Sequence, residues 1–146
     1  MLAIDGSQHN ADDLFDEAQS AEEAGNIIEA ERLYRILMKT DPTDVAAPFN
    51  LGNMLRTDGR NVEAEVALLV ATHVDPTFAD AWYNLGDLLD EQGRLEAAIE
   101  CLRTAVRVAP DYADAMFNLA LLLQRNNEYP EAVNYWRRYL ATDSQS

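Results

Sequence analysis

The sequence predicts an all-α fold of consecutive helical hairpins, and an internal repeat of constant length is the main reason. The repeat has no insertion or deletion and defines four units: 11–44, 45–78, 79–112 and 113–146. Alanine occupies one position in every unit: Ala30, Ala64, Ala98 and Ala132. Apolar residues at helical spacing, such as Leu85, Leu88 and Leu89, indicate one buried stripe on each helix.

Turn residues divide each unit into two helices. Three units have a glycine after the first helix, at a position that favours the left-handed conformation, and the fourth has asparagine: Gly25, Gly59, Gly93 and Asn127. Proline ends the second helix of three units: Pro42, Pro76 and Pro110. The residue after each proline is expected to cap the next helix: Thr43, Thr77 and Asp111.

Eight helices are expected from this pattern. They lie near 11–24, 28–40, 45–58, 62–74, 79–92, 96–108, 113–126 and 130–141. Residues 1–10 precede the first unit and are expected to form a flexible N-terminal segment, so that the repeat domain spans 11–146.

Small residues stand in the middle of each first helix: Ala18, Gly52, Gly86 and Ala120. Glycine inside a helix costs about 1 kcal/mol relative to alanine. We therefore expect a neighbouring helix to approach so closely that it needs the space.

Eight positions of the third unit carry a family resemblance: Trp82, Leu85, Gly86, Leu89, Ala98, Leu102, Ala105 and Pro110. At this spacing they resemble the signature of the tetratricopeptide repeat family, over residues 11–146. The resemblance implies a right-handed α-solenoid of four helix-turn-helix units, in which the first helix of each pair lines a concave groove. It also implies a non-catalytic scaffold that binds a peptide or protein segment in that groove. The first unit departs from the pattern, because Glu17 stands where leucine stands later, and at an edge we expect this charge to stay solvated.

The chain is strongly acidic, with 26 acidic and 11 basic residues and a formal net charge of −15. Such a surface repels phosphate, so nucleic acid and anionic membranes are not expected as direct partners. The charge either serves solubility or favours a basic ligand. No apolar run of about 18 residues is present, and Met1 to Asn10 lack the basic start and apolar stretch of a signal peptide, so none is expected. Because a single cysteine, Cys101, excludes an intramolecular disulfide, a cytoplasmic location is expected.

First-helix positions that are equivalent in successive units are expected to form ladders along the groove. The aromatic ladder is Phe15, Phe49, Tyr83 and Phe117, and the adjacent polar ladder is Asp16, Asn50, Asn84 and Asn118. Further candidates one turn away are Asn53, Asp80, Asp87 and Asp114. The carboxylates make the groove negative, which favours an extended peptide or protein segment with basic side chains.

Two interpretations of the ladders remain open. An amide both donates and accepts, so the asparagines either hold a ligand backbone or bond to neighbouring helices. The first arrangement is similar to the asparagine ladders of armadillo proteins and of O-linked N-acetylglucosamine transferase. The aromatic side chains either contact the ligand or pack against the adjacent unit.

No catalytic, cofactor or metal site is expected. His9 and His73 lie far apart in the chain, and Cys101 has no local catalytic motif. Chaperone-binding members of the family hold a terminal carboxylate with Lys and Arg on the groove face. Here Asp12, Asp80 and Asn84 occupy those places, so such a clamp is not expected.

The last predicted helix is unusually apolar for the end of a solenoid, which needs a polar cap. Its apolar residues are Val133, Trp136, Tyr139 and Leu140. Either the chain is a piece of a longer protein whose next helix covers them, or they dock on a second copy. The alternative function is therefore a structural segment of a multidomain protein that self-associates through Trp136, Tyr139 and Leu140. A monomer or a weak homodimer is expected.

Overall fold

The computed structural model describes residues 6–143, and the side chains of residues 11–142. Within this part, the chain forms eight α-helices: α1 (Gly6–Glu23), α2 (Ile27–Thr40), α3 (Ala46–Thr57), α4 (Asn61–Val74), α5 (Ala79–Glu91), α6 (Leu95–Val108), α7 (Ala113–Arg125) and α8 (Tyr129–Asp143). They form two compact units, Met1–Asp75 with α1 to α4 and Pro76–Ser146 with α5 to α8. The all-α class with four helix-turn-helix hairpins is confirmed.

The helix bounds agree with the predicted ones to within two residues, with one exception. Helix α1 begins at Gly6, five residues earlier than predicted. No proline interrupts the chain ahead of residue 11, so a formed helix extends at little cost. Residues 1–5 lie outside the described residues, and the flexible segment expected over 1–10 stays a prediction.

Left-handed residues end the first helix of each hairpin, as predicted. The φ angles are +81° at Gly25, +81° at Gly59, +78° at Gly93 and +62° at Asn127. In the third hairpin, the Arg94 N–H donates to the Leu89 carbonyl at 2.9 Å, and the Gly93 N–H donates to Asp90 at 2.9 Å. This is the Schellman arrangement, which satisfies the last carbonyls of the helix and reverses the chain.

The helix cap predicted at Thr43 is wrong, while those at Thr77 and Asp111 stay predictions. Helices α3, α5 and α7 begin after Val45, Phe78 and Tyr112, without a side-chain cap from these residues. Thr43 instead directs its hydroxyl to Asp41 at 2.6 Å, while Asp44 accepts the Ala46 N–H at 3.0 Å. Two residues separate Thr43 from the start of α3, and Asp44 rather than Thr43 accepts a backbone N–H there.

Within the hairpins, the two helices approach closely at the small residues. A Cβ atom added to Gly52 would lie 2.7 Å from Cγ of Leu68, and one added to Gly86 would lie 3.1 Å from Cγ of Leu102. Both glycines are buried, which confirms that the packing requires the space. The other two hairpins carry alanine at this position and an aromatic residue in place of the leucine: Ala18 with Tyr34, and Ala120 with Trp136.

Adjacent hairpins of one unit are joined by helix packing and by ion pairs between arginine and glutamate. Helix α2 packs against α3, and α6 packs against α7. Arg60 forms an ion pair with Glu31 at 2.6 Å, and Arg103 forms one with Glu131 at 2.6 Å. Hydrogen bonding from Arg60 lowers the pKa of the Glu31 carboxyl. Glu17 is exposed at the edge, as predicted.

Candidate functional site

In the first unit, three of the predicted groove residues, Asp12, Phe15 and Asp16, line an open acidic recess. Helix α1, the end of α2 and the start of α3 enclose a volume of about 570 Å³. Its lining is Ala11, Asp12, Phe15, Asp16, Leu37, Asp41, Asp44 and Ala46. Four carboxylates therefore form the walls, while Phe15 and Leu37 supply an apolar floor. The Phe15 ring is held in place by an edge contact with Tyr34, at 6.3 Å between ring centroids.

Two of these carboxylates were missed by the sequence analysis. Asp41 and Asp44 lie in the loop between α2 and α3. The N–H and hydroxyl of Thr43 donate to Asp41, and the Ala46 N–H at the start of α3 donates to Asp44. The predicted residues Phe49, Asn50 and Asn53 are half-buried on α3 and do not line the recess. The sequence does distinguish this position, because equivalent loop residues of successive repeats differ strongly in size and charge. They are Asp44, Phe78 and Tyr112.

In the second unit, a tyrosine fills the equivalent space. Tyr112 is the equivalent of Asp44 two repeats later, and its ring packs on Tyr83 at 5.1 Å between centroids. Its hydroxyl donates to Asp80 at 2.7 Å. Burial raises the pKa of the Tyr112 hydroxyl, and the hydrogen bond to Asp80 raises it further. The predicted candidates Asp80 and Tyr83 are thus brought together, by a residue that the sequence analysis did not single out.

The amide of Asn118 is used inside the fold. Its Nδ2 donates to the Tyr83 hydroxyl at 2.9 Å and to Asp87 at 3.2 Å. This geometry matches the second of the two interpretations, in which ladder amides bond to a neighbouring helix. Asn84, half-buried one residue from Tyr83, also has an interaction of its own. Ligand contact by these two amides stays a prediction.

A smaller recess of about 160 Å³ follows on the same side of the second unit. It is lined by Asp87, Asp90, Asn118, Leu121, Leu122 and Arg125. Arg125 bonds to Asp90 across it at 2.9 Å, which partly offsets the negative charge. Asp114 is exposed on α7 and remains available to solvent.

The aromatic residues at the end of the second unit form a cluster. The Phe117 ring lies 5.2 Å from Trp136 and 5.3 Å from Tyr139, between centroids. Trp136 also donates to Gln124 at 3.2 Å. Packing within the chain therefore involves two of the three residues predicted for self-association. Leu140, the third, has 60% of its surface exposed.

The remaining observations on the described part of the chain concern metal ligands, the cysteine and membrane-spanning helices. No group of three or more His, Cys, Asp or Glu side chains there could hold a metal ion. Cys101 is buried on α6. Among helices of residues 6–143, none is long and apolar enough to cross a membrane.

Sequence comparison decides the family. A family model for the tetratricopeptide repeat matches residues 15–72, 67–106 and 83–146, and so spans nearly all of the chain. This chain belongs to the tetratricopeptide repeat family. A search of curated proteins finds no significant match.

Solved structures agree with the tetratricopeptide repeat fold. The crystal structure of MamA matches with a TM-score of 0.83 and 22% identity, over 98% of this chain and 84% of that one. The first repeat domain of Spaghetti (RPAP3), bound to the HSP90 peptide SRMEEVD, matches with a TM-score of 0.72 and 20% identity. This match covers 80% of this chain and 93% of that one. An O-GlcNAc transferase mutant from Thermobaculum terrenum matches with a TM-score of 0.67 and 28% identity, over 80% of this chain but 22% of that one. The family and fold are therefore shown, and the transferase match concerns a small part of that enzyme.

Proposed function

We propose that this chain is a non-catalytic scaffold that binds a protein segment with basic side chains, and that the acidic recess of the first unit takes a Lys or Arg side chain. The observation that carries the proposal is the open recess of about 570 Å³, which combines four carboxylates with an apolar floor. A long cationic side chain fits both features, because its methylene groups cover apolar surface while its charged end meets carboxylates.

The net charge of −15 supports a polypeptide rather than a nucleic acid as partner. Among related structures, the RPAP3 domain is bound to a peptide, which supports segment binding in general. That peptide ends in acidic residues, whereas the recess here would repel them. The single cysteine and acidic surface are consistent with a cytoplasmic location, which we include in the proposal.

Binding at this recess is expected to be modest and sensitive to salt. Asp12 and Asp16 are exposed, and ion pairs at exposed carboxylates are worth about 0.2–1 kcal/mol each. Together with burial of the side-chain stem, a short peptide reaches a Kd on the order of micromolar. Raising the ionic strength weakens this attraction, because the Debye length shortens to about 3 Å at 1 M salt.

The second unit provides the variant that tests the proposal. Asp44→Tyr introduces into the recess the residue that already fills the equivalent space of the second unit, with Asp12 placed like Asp80. The matched control is Asp111→Tyr, which makes the same change of charge at an exposed loop residue outside the recess.

A peptide array of varied Lys and Arg content supplies the ligand, and the tightest peptide is then measured by calorimetry. We expect Asp44→Tyr to weaken binding by at least about tenfold, a change of roughly 1.4 kcal/mol, and the control to leave it unchanged. Absence of any basic binder on the array, or equal affinity of Asp44→Tyr and the native chain, would contradict the proposal.

The amide residues are a separate part of the same proposal. If Asn84 and Asn118 of the second unit also hold a ligand backbone, the double change to alanine weakens peptide binding by that unit. Because the Asn118 amide bonds to Tyr83 and Asp87, the stability of this variant is measured beside its affinity. A folded double variant with native affinity would restrict the site to the carboxylates.

Exposed residues of α8 favour a second candidate function, which is self-association through this end. Val133 and Leu140 are exposed by 44% and 60%. The equivalent residues one repeat earlier, Ile99 and Val106, are buried on α6, which packs against α7. The face that receives a further helix in one repeat is thus open in the next. Light scattering of Leu140→Glu at several concentrations tests this, since a native dimer should become monomeric.

A further inference from the structure

The outer face of α4 in the first unit is apolar and open to solvent. Val62, Val66 and Leu69 are exposed by 77%, 57% and 44%. With Val70 and His73 they follow one side of the helix at spacings of three and four residues, and we call these five residues the α4 stripe. The opposite side of α4 is buried in the hairpin. A helix that is apolar on both sides is expected to be covered on both sides.

The other three repeats show that the fold does not require this stripe. Arginine stands at the position of Leu69 in every other second helix: Arg35, Arg103 and Arg137. At the position of Val66 the other repeats carry polar residues: Arg32, Glu100 and Asn134. Apart from the half-buried Arg103, these side chains are exposed. The position accepts charge in the same fold, so the apolar residues of α4 need an explanation other than hairpin packing.

Two recesses lie beside the stripe and form depressions into which side chains of a second helix can pack. One has a volume of about 570 Å³ and lies between Pro42 and the end of α4, along Val66 and Leu69. The other, of about 220 Å³, lies between Met38 and the start of α4. Ridges of a second helix can enter such depressions.

The charges that border the stripe are balanced. Glu63 lies 2.6 Å from Arg60 and 3.8 Å from Arg35, and Glu31 lies 2.6 Å from Arg60 and 2.9 Å from Arg35. Two arginines and two glutamates thus cancel locally, on a chain whose total charge is −15. A basic partner would be drawn to the acidic recess instead. A second copy of this chain, which is repelled by most of the surface, can approach here, because a self-complementary contact needs both signs of charge at its border.

We propose that the α4 stripe is the contact surface of a homodimer, in which two α4 helices lie antiparallel across a two-fold axis. The helix is about 21 Å long at about 1.5 Å per residue. With the axis near the middle of the stripe, Val66 lies against Leu69 and Val70 of the second copy. His73 then lies beside Glu63 of the second copy, whose carboxylate can accept a hydrogen bond from the His73 ring at each end. This contact is distinct from the proposed ligand recess and does not depend on it.

The dimer is expected to respond to salt in the direction opposite to ligand binding. Two chains of charge −15 repel each other, and salt screens this repulsion, so the dimer tightens as salt rises. The stripe is short, and a contact at the low end of protein interfaces has a Kd on the order of 10 to 100 µM.

Analytical ultracentrifugation of the chain, from about 10 µM to about 1 mM at two salt concentrations, tests the proposal over the expected Kd range. The variant is Val66→Glu with Leu69→Arg, the residue types that α6 carries at these positions. We expect a native dimer and at least a tenfold higher Kd for the variant. The control is Glu96→Arg with Arg107→Glu on α6, two exposed residues outside the stripe, which should leave the dimer intact. The α8 variant Val133→Glu with Leu140→Glu separates this contact from self-association through α8, because only a dimer formed through α8 is lost in it.

Three results would overturn the proposal. They are a native monomer over the whole range, an unchanged Kd in the α4 variant, or loss of the dimer in the α8 variant alone. If circular dichroism finds the double variant unfolded, Leu69→Arg alone replaces it, since three other repeats hold arginine there.

Discussion

Replacing Gly52 with alanine has two opposing effects on stability, which are overpacking against Leu68 and a gain in helix propensity. The added methyl group would lie 2.7 Å from Cγ and 2.9 Å from Cδ2 of Leu68, and 3.3 Å from the Ala64 carbonyl oxygen. Overpacking of this kind costs about 1–3 kcal/mol. Alanine gains about 1 kcal/mol over glycine in helix propensity. We expect a net loss of about 1 kcal/mol in the free energy of unfolding.

Gly86 is the matched control, because it has the same place in the next hairpin and more space. There the nearest atom to the added methyl group, Cγ of Leu102, is at 3.1 Å, so Gly86→Ala should be nearly neutral. Urea unfolding followed by circular dichroism measures both variants. In a Leu68→Ala background, the loss at Gly52 should disappear, since the clashing atoms are gone.

The reasoning fails if Gly52→Ala is more stable than the native chain, or if Gly86→Ala loses more than Gly52→Ala. It also fails if the loss at Gly52 persists in the Leu68→Ala background. In each case close packing against the leucine would not be the reason for glycine at this position.

Three further predictions concern single contacts. Gly93→Ala should cost about 1 kcal/mol in a urea titration, because φ is +78° and no atom lies within 4 Å of the added methyl group, so only backbone strain acts; native stability would refute this. A hydrogen bond from Arg60 lowers the pKa of Glu31 in the folded chain. The stability that this pair contributes is therefore present above the pKa of Glu31 in the unfolded chain, and it is lost as pH falls through the lower pKa of the folded chain. Glu31→Gln should therefore destabilise the chain at neutral pH and have little effect near pH 2, measured by thermal unfolding across pH; a constant difference would count against it. Tyr112→Phe loses the hydroxyl bond to Asp80 but keeps the ring, so about 0.5–1.5 kcal/mol should be lost in urea, and no loss would mean that the bond is not stabilising.

The repeat architecture could be derived from the sequence because each determinant acts over a few residues. The left-handed positions need glycine or asparagine whatever surrounds them, which is why Gly93 and Asn127 identified the turns correctly. The mid-helix glycines predicted close packing for a similar reason, since a helix keeps glycine at its centre only under a steric demand. The cap predicted at Thr43 failed because the length of the loop after the proline, rather than residue type, decides which residue reaches the first turn of the helix.

The site was only partly predictable, since its contacts join residues about one repeat apart. Tyr112 and Asp80 are 32 residues apart, and Asn118 and Tyr83 are 35 apart. The ladder positions were identified, but whether an amide points to a neighbour or to a ligand depends on which side chain of the next hairpin reaches it. The carboxylates Asp41 and Asp44 belong to a loop, where no periodicity marks a functional position.

By itself, the sequence determined four in-register hairpins, their turns and their family. Helix periodicity, backbone conformation and local sterics each depend on residues close together in the sequence. Tertiary structure alone decided which recess is open and which is filled. The first unit has Asp44 where the second has Tyr112, and only packing tells that the tyrosine ring occupies the space. The same holds for α4, whose apolar residues lie on both sides of the helix. Burial of one side of the helix in its hairpin leaves the other side exposed.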